Sequence, residues 1–592
     1  MQENQKIVIY QVLPRLFGNT TTTNKPWGTI EENGVGKFND FTDKALEKIK
    51  SLGVTHIWYT GVLHHCVIRD YTEYGISNDD PDVVKGRAGS PYAIKDYYNV
   101  NPDLAVDPAK RLEEFEALVE RTHRNGLKLI IDIVPNHIAR NYHSITNPEG
   151  VVDFGENDDT SVEFDRNNNF YYIPGQHFQV PDFEPGFLPL GGEEHPLLDG
   201  KFEEYPAKWT GNGSRSAKPS MHDWYETVKV NFGISPFGEK NFNELPPEYR
   251  QKTAAEHYEF WKDKDVPDSW KKFEQIALYW LEKGVDGFRF DMAQMVPVEF
   301  WSYLNSAIKM KNPEAILISE IYVPEIYRVY IFLGKMDYLY DKVDMYDTLR
   351  NIMEGRGSTD HLPEVIERLS DIEQHMLHFL ENHDEQRLAS PEFAGDAAKG
   401  KPGMVLSAIL GTSPVMIYFG QEVGEKGEGD AGYGKSSRTT IYDYWGVPAH
   451  QRWMNKGAFN GGALLSEEAA LRSFYKKLLN FTRSSPALTG SYGPLHRINR
   501  QNSQGYTDKH FSFLRWKNSQ HILVLTSFET QKTSSFDIYI PRELVMEMGL
   551  KFGSYPMKDA LGSEKRFDLM VTDSGAKALI TIDPLESFIL EF

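Results

Sequence analysis

Leu127-Lys128-Leu129-Ile130-Ile131-Asp132-Ile133-Val134-Pro135-Asn136-His137 decides how this chain is read. Residues 127–134 form an apolar run short enough for a strand, and it breaks at once into Pro-Asn-His. The stretch before it reads as a helix. Asp107 can cap it and Pro108 opens it. Leu112, Phe115, Leu118 and Val119 share one face, and Asn125-Gly126 ends it. A helix feeding a buried strand is the unit of a parallel α/β sheet.

The same rhythm runs outward in both directions. Upstream, Lys6-Ile7-Val8-Ile9-Tyr10-Gln11-Val12 reads as a strand. Ala45, Leu46, Ile49 and Leu52 line a helix stopped by Gly53, and His56-Ile57-Trp58-Tyr59 is a second strand. Downstream, regularity fails over 138–231. That stretch is rich in Asn, Gly, Pro and Asp and too long for a plain loop, so it reads as an irregular subdomain inserted after the third strand. The alternation then returns. Phe273, Ile276, Ala277 and Trp280 mark a helix ending near Gly284, and strands are expected at 288–291, 315–320, 376–382 and 414–418. From about 488 the helical signal fades into short β runs such as His521-Ile522-Leu523-Val524-Leu525 and Ser587-Phe588-Ile589-Leu590.

The chain has 592 residues and a formal net charge of −21. No basic surplus exists to neutralise phosphates, which argues against nucleic acid and against an anionic membrane surface. A neutral ligand such as a sugar meets no such penalty. The 31 Tyr, 34 Phe and 11 Trp are mostly core, and sugar-stacking platforms need only a few of them. Cys66 is the only cysteine, so neither an intrachain disulfide nor a Cys-based metal site is expected. No apolar run reaches the length of a membrane span, and no basic-then-apolar signal stands at the start. These features leave a cytoplasmic protein or an exported one read without its signal.

Four strand runs end in polar residues: Asp132-Ile133-Val134-Pro135-Asn136-His137, Gly287-Phe288-Arg289-Phe290-Asp291, Ile318-Ser319-Glu320 and Phe379-Leu380-Glu381-Asn382-His383-Asp384. In a (β/α)8 barrel the C-terminal strand ends meet at one mouth, where catalytic groups sit. Arg289 and Asp291, at i and i+2, face the same side, a spacing that suits an arginine holding an ionised carboxylate. Glycosidic hydrolysis needs two carboxyl groups, one donating a proton and one attacking carbon or activating water. Alone, each segment reads as a cap, a turn or a local ion pair. Their joint occurrence, in this order, points to a sugar-cleaving site.

These segments resemble the four signature regions of the α-amylase family, glycoside hydrolase family 13. The resemblance extends to Tyr10-Gln11, Gly53-Val54-Thr55-His56-Ile57-Trp58, Asp96-Tyr97-Tyr98, Asn101-Pro102 and Phe419-Gly420-Gln421-Glu422. It implies an α/β fold: a (β/α)8 TIM barrel over 1–137 and 232–487, the subdomain over 138–231, and an all-β sandwich over 488–592. It also implies a retaining hydrolase that cleaves α-1,4-glucosidic bonds in starch, glycogen or malto-oligosaccharides through a covalent glycosyl–enzyme intermediate. An α-glucan transglycosylase with the same site is the alternative. Asp291 matches the nucleophile, Glu320 the general acid/base, and Asp384 the third carboxylate, which binds sugar hydroxyls. Arg289 matches the arginine that orients the nucleophile. His137 and His383 match two sugar-binding histidines, Tyr92 the aromatic stacked on that sugar, and Asp132 a more structural aspartate. The paired carboxyl groups should lie roughly 5–5.5 Å apart.

The sequence departs from the family pattern at several points. Gln294 and Met295 stand where Lys-His is common, and Ser90-Pro91 stand where His-Gly is common before Tyr92. Val228-Lys229-Val230-Asn231-Phe232 matches the fifth region only loosely. A structural calcium is an open expectation. Asn136 matches one usual ligand, while Met295 replaces the histidine whose carbonyl often supplies another. No organic cofactor is implied. Residues 424–434 lack a phosphate-cradling fingerprint and read as a loop at the barrel rim. His64-His65 reads as loop rather than as a metal site.

Overall fold

The computed structural model describes residues 6–434 and 437–592, so the first residues of the expected barrel segment lie outside the described ones. Eight parallel strands form the central sheet: β1 (Val8–Val12), β2 (His56–Tyr59), β3 (Lys128–Ile133), β4 (Gly287–Phe290), β5 (Ile316–Ser319), β6 (Tyr338–Tyr340), β7 (Met376–Leu377) and β8 (Val415–Tyr418). They pair in chain order from β1 to β7, and β8 pairs with β1. A parallel bridge from His378 to Val415 joins β7 to β8 and closes the barrel. Nearly every strand residue is buried. Helices cover the outer face while side chains fill the inside, which explains the unbroken apolar runs.

A helix follows each strand: α1 (Asp43–Lys50), α2 (Arg111–Arg124), α3 (Asp268–Glu282), α4 (Val298–Lys311), α5 (Tyr327–Phe332), α6 (Asp347–Met353), α7 (Gly400–Ile409) and α8 (Ser466–Ser484). In α1, Ala45, Leu46 and Ile49 turn inward, and Thr42 caps the helix by accepting from Ala45 N. Gly53 takes φ +104° against the backbone of Leu479 in α8, so a side chain there has no room.

Three local expectations are corrected. β6 has no counterpart in the sequence reading, because Tyr338-Leu339-Tyr340 is too short to show a period. β7 stops at Leu377 instead of running to 382. The chain beyond it turns toward the barrel mouth, where Asn382 Oδ1 accepts from the backbone N of Asp384 and Glu385. His64 and His65 lie on a strand, Leu63–His65, antiparallel to Ile94–Val100, and both are buried. His65 Nε2 meets the Arg15 guanidinium at 2.7 Å.

After β3 the chain enters an irregular region held by two short antiparallel pairs. His137–Ala139 pairs with Thr227–Lys229, and Tyr172–Ile173 with Ala207–Lys208. The first pair seats this region directly on the end of β3. At the C-terminus, β9 (Ser491–Pro494), β10 (His510–Lys517), β11 (Gln520–Ser527), β12 (Ser534–Pro541), β13 (Gly553–Asp559), β14 (Phe567–Thr572), β15 (Gly575–Ile582) and β16 (Ser587–Glu591) form an antiparallel sheet. Its order is β9-β10-β11-β16-β13-β14-β15-β12. Leu514, Leu523, Leu525 and Leu590 share one core with Ile538, Leu569 and Ile580 from the other half of the sheet. β13 joins the halves, pairing with both β14 and β16. No helix among the described residues is long and apolar enough to cross a membrane.

Candidate active site

Barrel register assembles the polar cluster. Arg289 on β4 is the pairing partner of Asp132 on β3, so both side chains occupy one level of the interior. Hydrogen bonding continues one step past the strands. Asp291 N donates to Ile133 O at 3.0 Å, and Glu320 N donates to Phe290 O at 3.2 Å. Two carboxylates are thereby fixed just above adjacent strands on rigid backbone.

Arg289 has no solvent exposure and serves all three acids nearest to it. Nη1 donates to Asp291 Oδ1 at 2.8 Å and reaches Asp132 Oδ1 at 3.4 Å, while Nη2 donates to Glu320 Oε2 at 2.8 Å. Nε donates to the Tyr340 hydroxyl at 3.2 Å, and the guanidinium lies 5.3–5.5 Å from the rings of Trp58, Tyr92 and Tyr340. Trp58 Nε1 donates to the far oxygen of Asp132 at 2.9 Å. The cation is thus fixed in position by both packing and hydrogen bonds.

Asp384 arrives from β7. Its carboxylate lies 3.0 Å from His383 Nε2, and its side chain is 41 % exposed, so the cluster opens to solvent there. Gln11 Nε2, from β1, sits 2.7 Å from His383 Nδ1. The amide is the donor, which leaves the ring proton on Nε2 facing Asp384. Tyr92 stacks on His383 with ring centroids 5.3 Å apart, and its hydroxyl contacts His383 Nε2. His137 Nε2 stands 4.0 Å from Asp291 Oδ2.

The environments of these acids differ. Burial and the Glu320 charge push the Asp291 carboxyl well above its ordinary range, with Arg289 opposing them. Burial works to raise Asp384 as well, but His383, Arg289 and Arg438 outweigh it and bring it down to about 2. Burial, reinforced by the charges of Lys229 and Lys85, lowers His137 to about 3, so its imidazole is neutral.

The structure therefore gathers Asp132, His137, Arg289, Asp291, Glu320, His383, Asp384 and Tyr92 around one opening. It adds residues the sequence reading assigned no part. The Tyr322 hydroxyl contacts Glu320 Oε1, and Gln294 Oε1 accepts from Tyr322 N at 2.7 Å. Gln294, a departure from the family pattern, thus holds the segment that carries Glu320. Tyr322 was findable as the i+2 neighbour of Glu320. Tyr340 was not, because nothing local separates it from ordinary core, and Gln11 stood out only as part of the family resemblance, with no role attached. Asn136 is fully buried: Oδ1 accepts from Lys229 Nζ, and Nδ2 donates to Gly211 O at 2.9 Å and to His137 Nδ1 at 3.0 Å.

Known proteins match this arrangement. The family model described as the catalytic domain of alpha amylase matches residues 11–175 and 206–446, well over half of the chain. The break between the two matched blocks falls within the irregular region after β3. A cyclomaltodextrinase of Thermoanaerobacter pseudethanolicus is 23 % identical over 557 residues, covering 91 % of this chain and 73 % of that one. Neopullulanase 2 of Thermoactinomyces vulgaris is 21 % identical, covering 89 % and 70 %. A maltogenic alpha-amylase of Thermotoga neapolitana shares the fold, with TM-score 0.60 at 18 % identity over 99 % of this chain and 98 % of that one. Barrel, site and matches together make this chain a glycoside hydrolase belonging to the α-amylase family, glycoside hydrolase family 13.

Proposed function

We propose that this enzyme hydrolyses α-1,4-glucosidic bonds in malto-oligosaccharides or related α-glucans with retention of configuration. The supporting observation is that Asp291 and Glu320, from adjacent strands, close on one guanidinium beside an opening flanked by Asp384. One proton shared by two carboxyl groups is what double displacement requires. Glu320 delivers the proton to the leaving glycosidic oxygen as Asp291 attacks the anomeric carbon. The freed Glu320 carboxylate then takes a proton from water, which displaces Asp291 and regenerates the acid. Asp384, ionised throughout, binds ring hydroxyls. Neutral His137 donates from Nε2, and Tyr92 supplies an aromatic face.

The test is NMR of maltotriose cleavage before mutarotation. The α-anomer appearing first supports the reading, and the β-anomer refutes it. Products longer than maltotriose would show transfer to sugar in place of water. Glu320→Gln removes the proton donor, so turnover of maltotriose falls by about 10²–10⁴-fold. The loss is much smaller for α-glucosyl fluoride, whose leaving group needs no protonation. Equal losses on both substrates would contradict the assigned role.

The pH profile of kcat/KM should be a bell. Activity declines on the acid side as the pair takes up a second proton, and on the alkaline side as the shared proton leaves. With Asp291 pushed up by burial and the Glu320 charge, the alkaline limb lies above the ordinary carboxylate range. Asp384, held at about 2, adds no limb near neutrality. An alkaline limb at about 4, the ordinary carboxylate value, would contradict the shared proton.

A further inference from the structure

We infer that the Lys229 ammonium occupies the position of the family's structural calcium, and that it sets the His137 tautomer through Asn136. Asn136 Oδ1 and the carbonyl of Met295 stand at two of the positions from which the family pattern supplies oxygens to the ion. Lys229 Nζ binds both, the carbonyl at 3.3 Å. The geometry follows from strand register. Lys229 pairs with His137 across the two-stranded ribbon, which places its side chain over the end of β3 and beside the turn after β4. A divalent cation and an ammonium cannot share this space, so the residues present do not fit calcium.

The ammonium does more than neutralise. It has three donors and no acceptor, so Asn136 must present Oδ1 to it. Nδ2 then turns to Gly211 O and to His137 Nδ1. His137 Nδ1 is thereby an acceptor, and its ring proton falls on Nε2, the nitrogen facing Asp291 4.0 Å away. Lys229 is a positioning residue that acts on the candidate active site through two hydrogen bonds. Burial pushes its ammonium down to about 7.

The metal part of this inference stands without the functional reading, whereas the effect on turnover rests on it. The full chain, desalted into metal-free buffer, is assayed for calcium by elemental analysis and for Tm with and without EDTA. Substoichiometric calcium and an unchanged Tm are expected. One calcium per chain, or a Tm lowered by EDTA, would overturn the inference. Lys229→Met keeps the aliphatic stem and removes the charge, so its effects report the ammonium and not packing. Its Tm falls, kcat drops by about 10–100-fold, and the 15N shifts of His137 show loss of the single Nε2–H tautomer. An unchanged tautomer and kcat would overturn the positioning role. Should Lys229→Met not fold, Asn136→Ala is read by the same 15N shifts, and there too an unmoved tautomer counts against it. Activity lost in Asp291→Asn while wild-type Tm ignores EDTA separates this inference from the catalytic one.

Discussion

Asp291→Asn lowers kcat on malto-oligosaccharides by at least about 10⁴-fold, the scale of losing a covalent nucleophile, while leaving the fold intact. Asparagine keeps the shape of the side chain and can still accept from Arg289 Nη1, so the 2.8 Å contact has a replacement. The variant cannot form the glycosyl ester. Its Tm should stay level or rise, because burial and the Glu320 charge already work against an ionised Asp291 and the amide removes that conflict. Stopped assays on maltotriose together with thermal unfolding check both parts. Activity within tenfold of wild type would remove Asp291 from the mechanism. Asp291→Gly with added azide addresses the role more directly, since a small anion entering from the vacated face should yield the β-glucosyl azide.

Arg289→Met is expected to destabilise the protein by about 3–5 kcal/mol, the usual scale for removing one partner of a buried charge pair. One guanidinium without solvent exposure balances Asp132, Asp291 and Glu320. Without it, buried acids face one another and can relieve the repulsion only by taking up protons. Their folded-state pKa values then rise above the unfolded ones, so the folded form binds more protons and stability falls with rising pH. The gap between wild type and Arg289→Met should therefore widen from pH 5 to pH 8 in urea unfolding. A gap that does not change with pH would show that Arg289 acts by packing alone. Arg289→Lys should recover part of the stability but not the rate. A single ammonium cannot make the forked contact to Asp291 and Glu320, and a kcat about 10²-fold below wild type is expected.

The barrel is legible in the sequence because seven of its strands stand out as apolar runs, and four of those runs end in polar residues. A strand buried on both faces must be apolar along its length, and the residue just past its end must tolerate the mouth. Asp132, Arg289, Asp291, Glu320, His383 and Asp384 were legible for that reason, each sitting on or just beyond a strand run. Tertiary structure alone decided the rest. Tyr340 lies on a strand too short to carry a period, and it reaches Arg289 only because β6 closes beside β5. Gln11 meets His383 across 372 residues of chain, through the closure of β8 onto β1. Lys229 looked like a loose match to a signature region. Its place between Asn136 and Met295 depends on a two-stranded ribbon joining segments some ninety residues apart. Local pattern records which way a side chain faces, but which groups it meets is set by barrel closure and strand register, and neither leaves a trace in neighbouring residues.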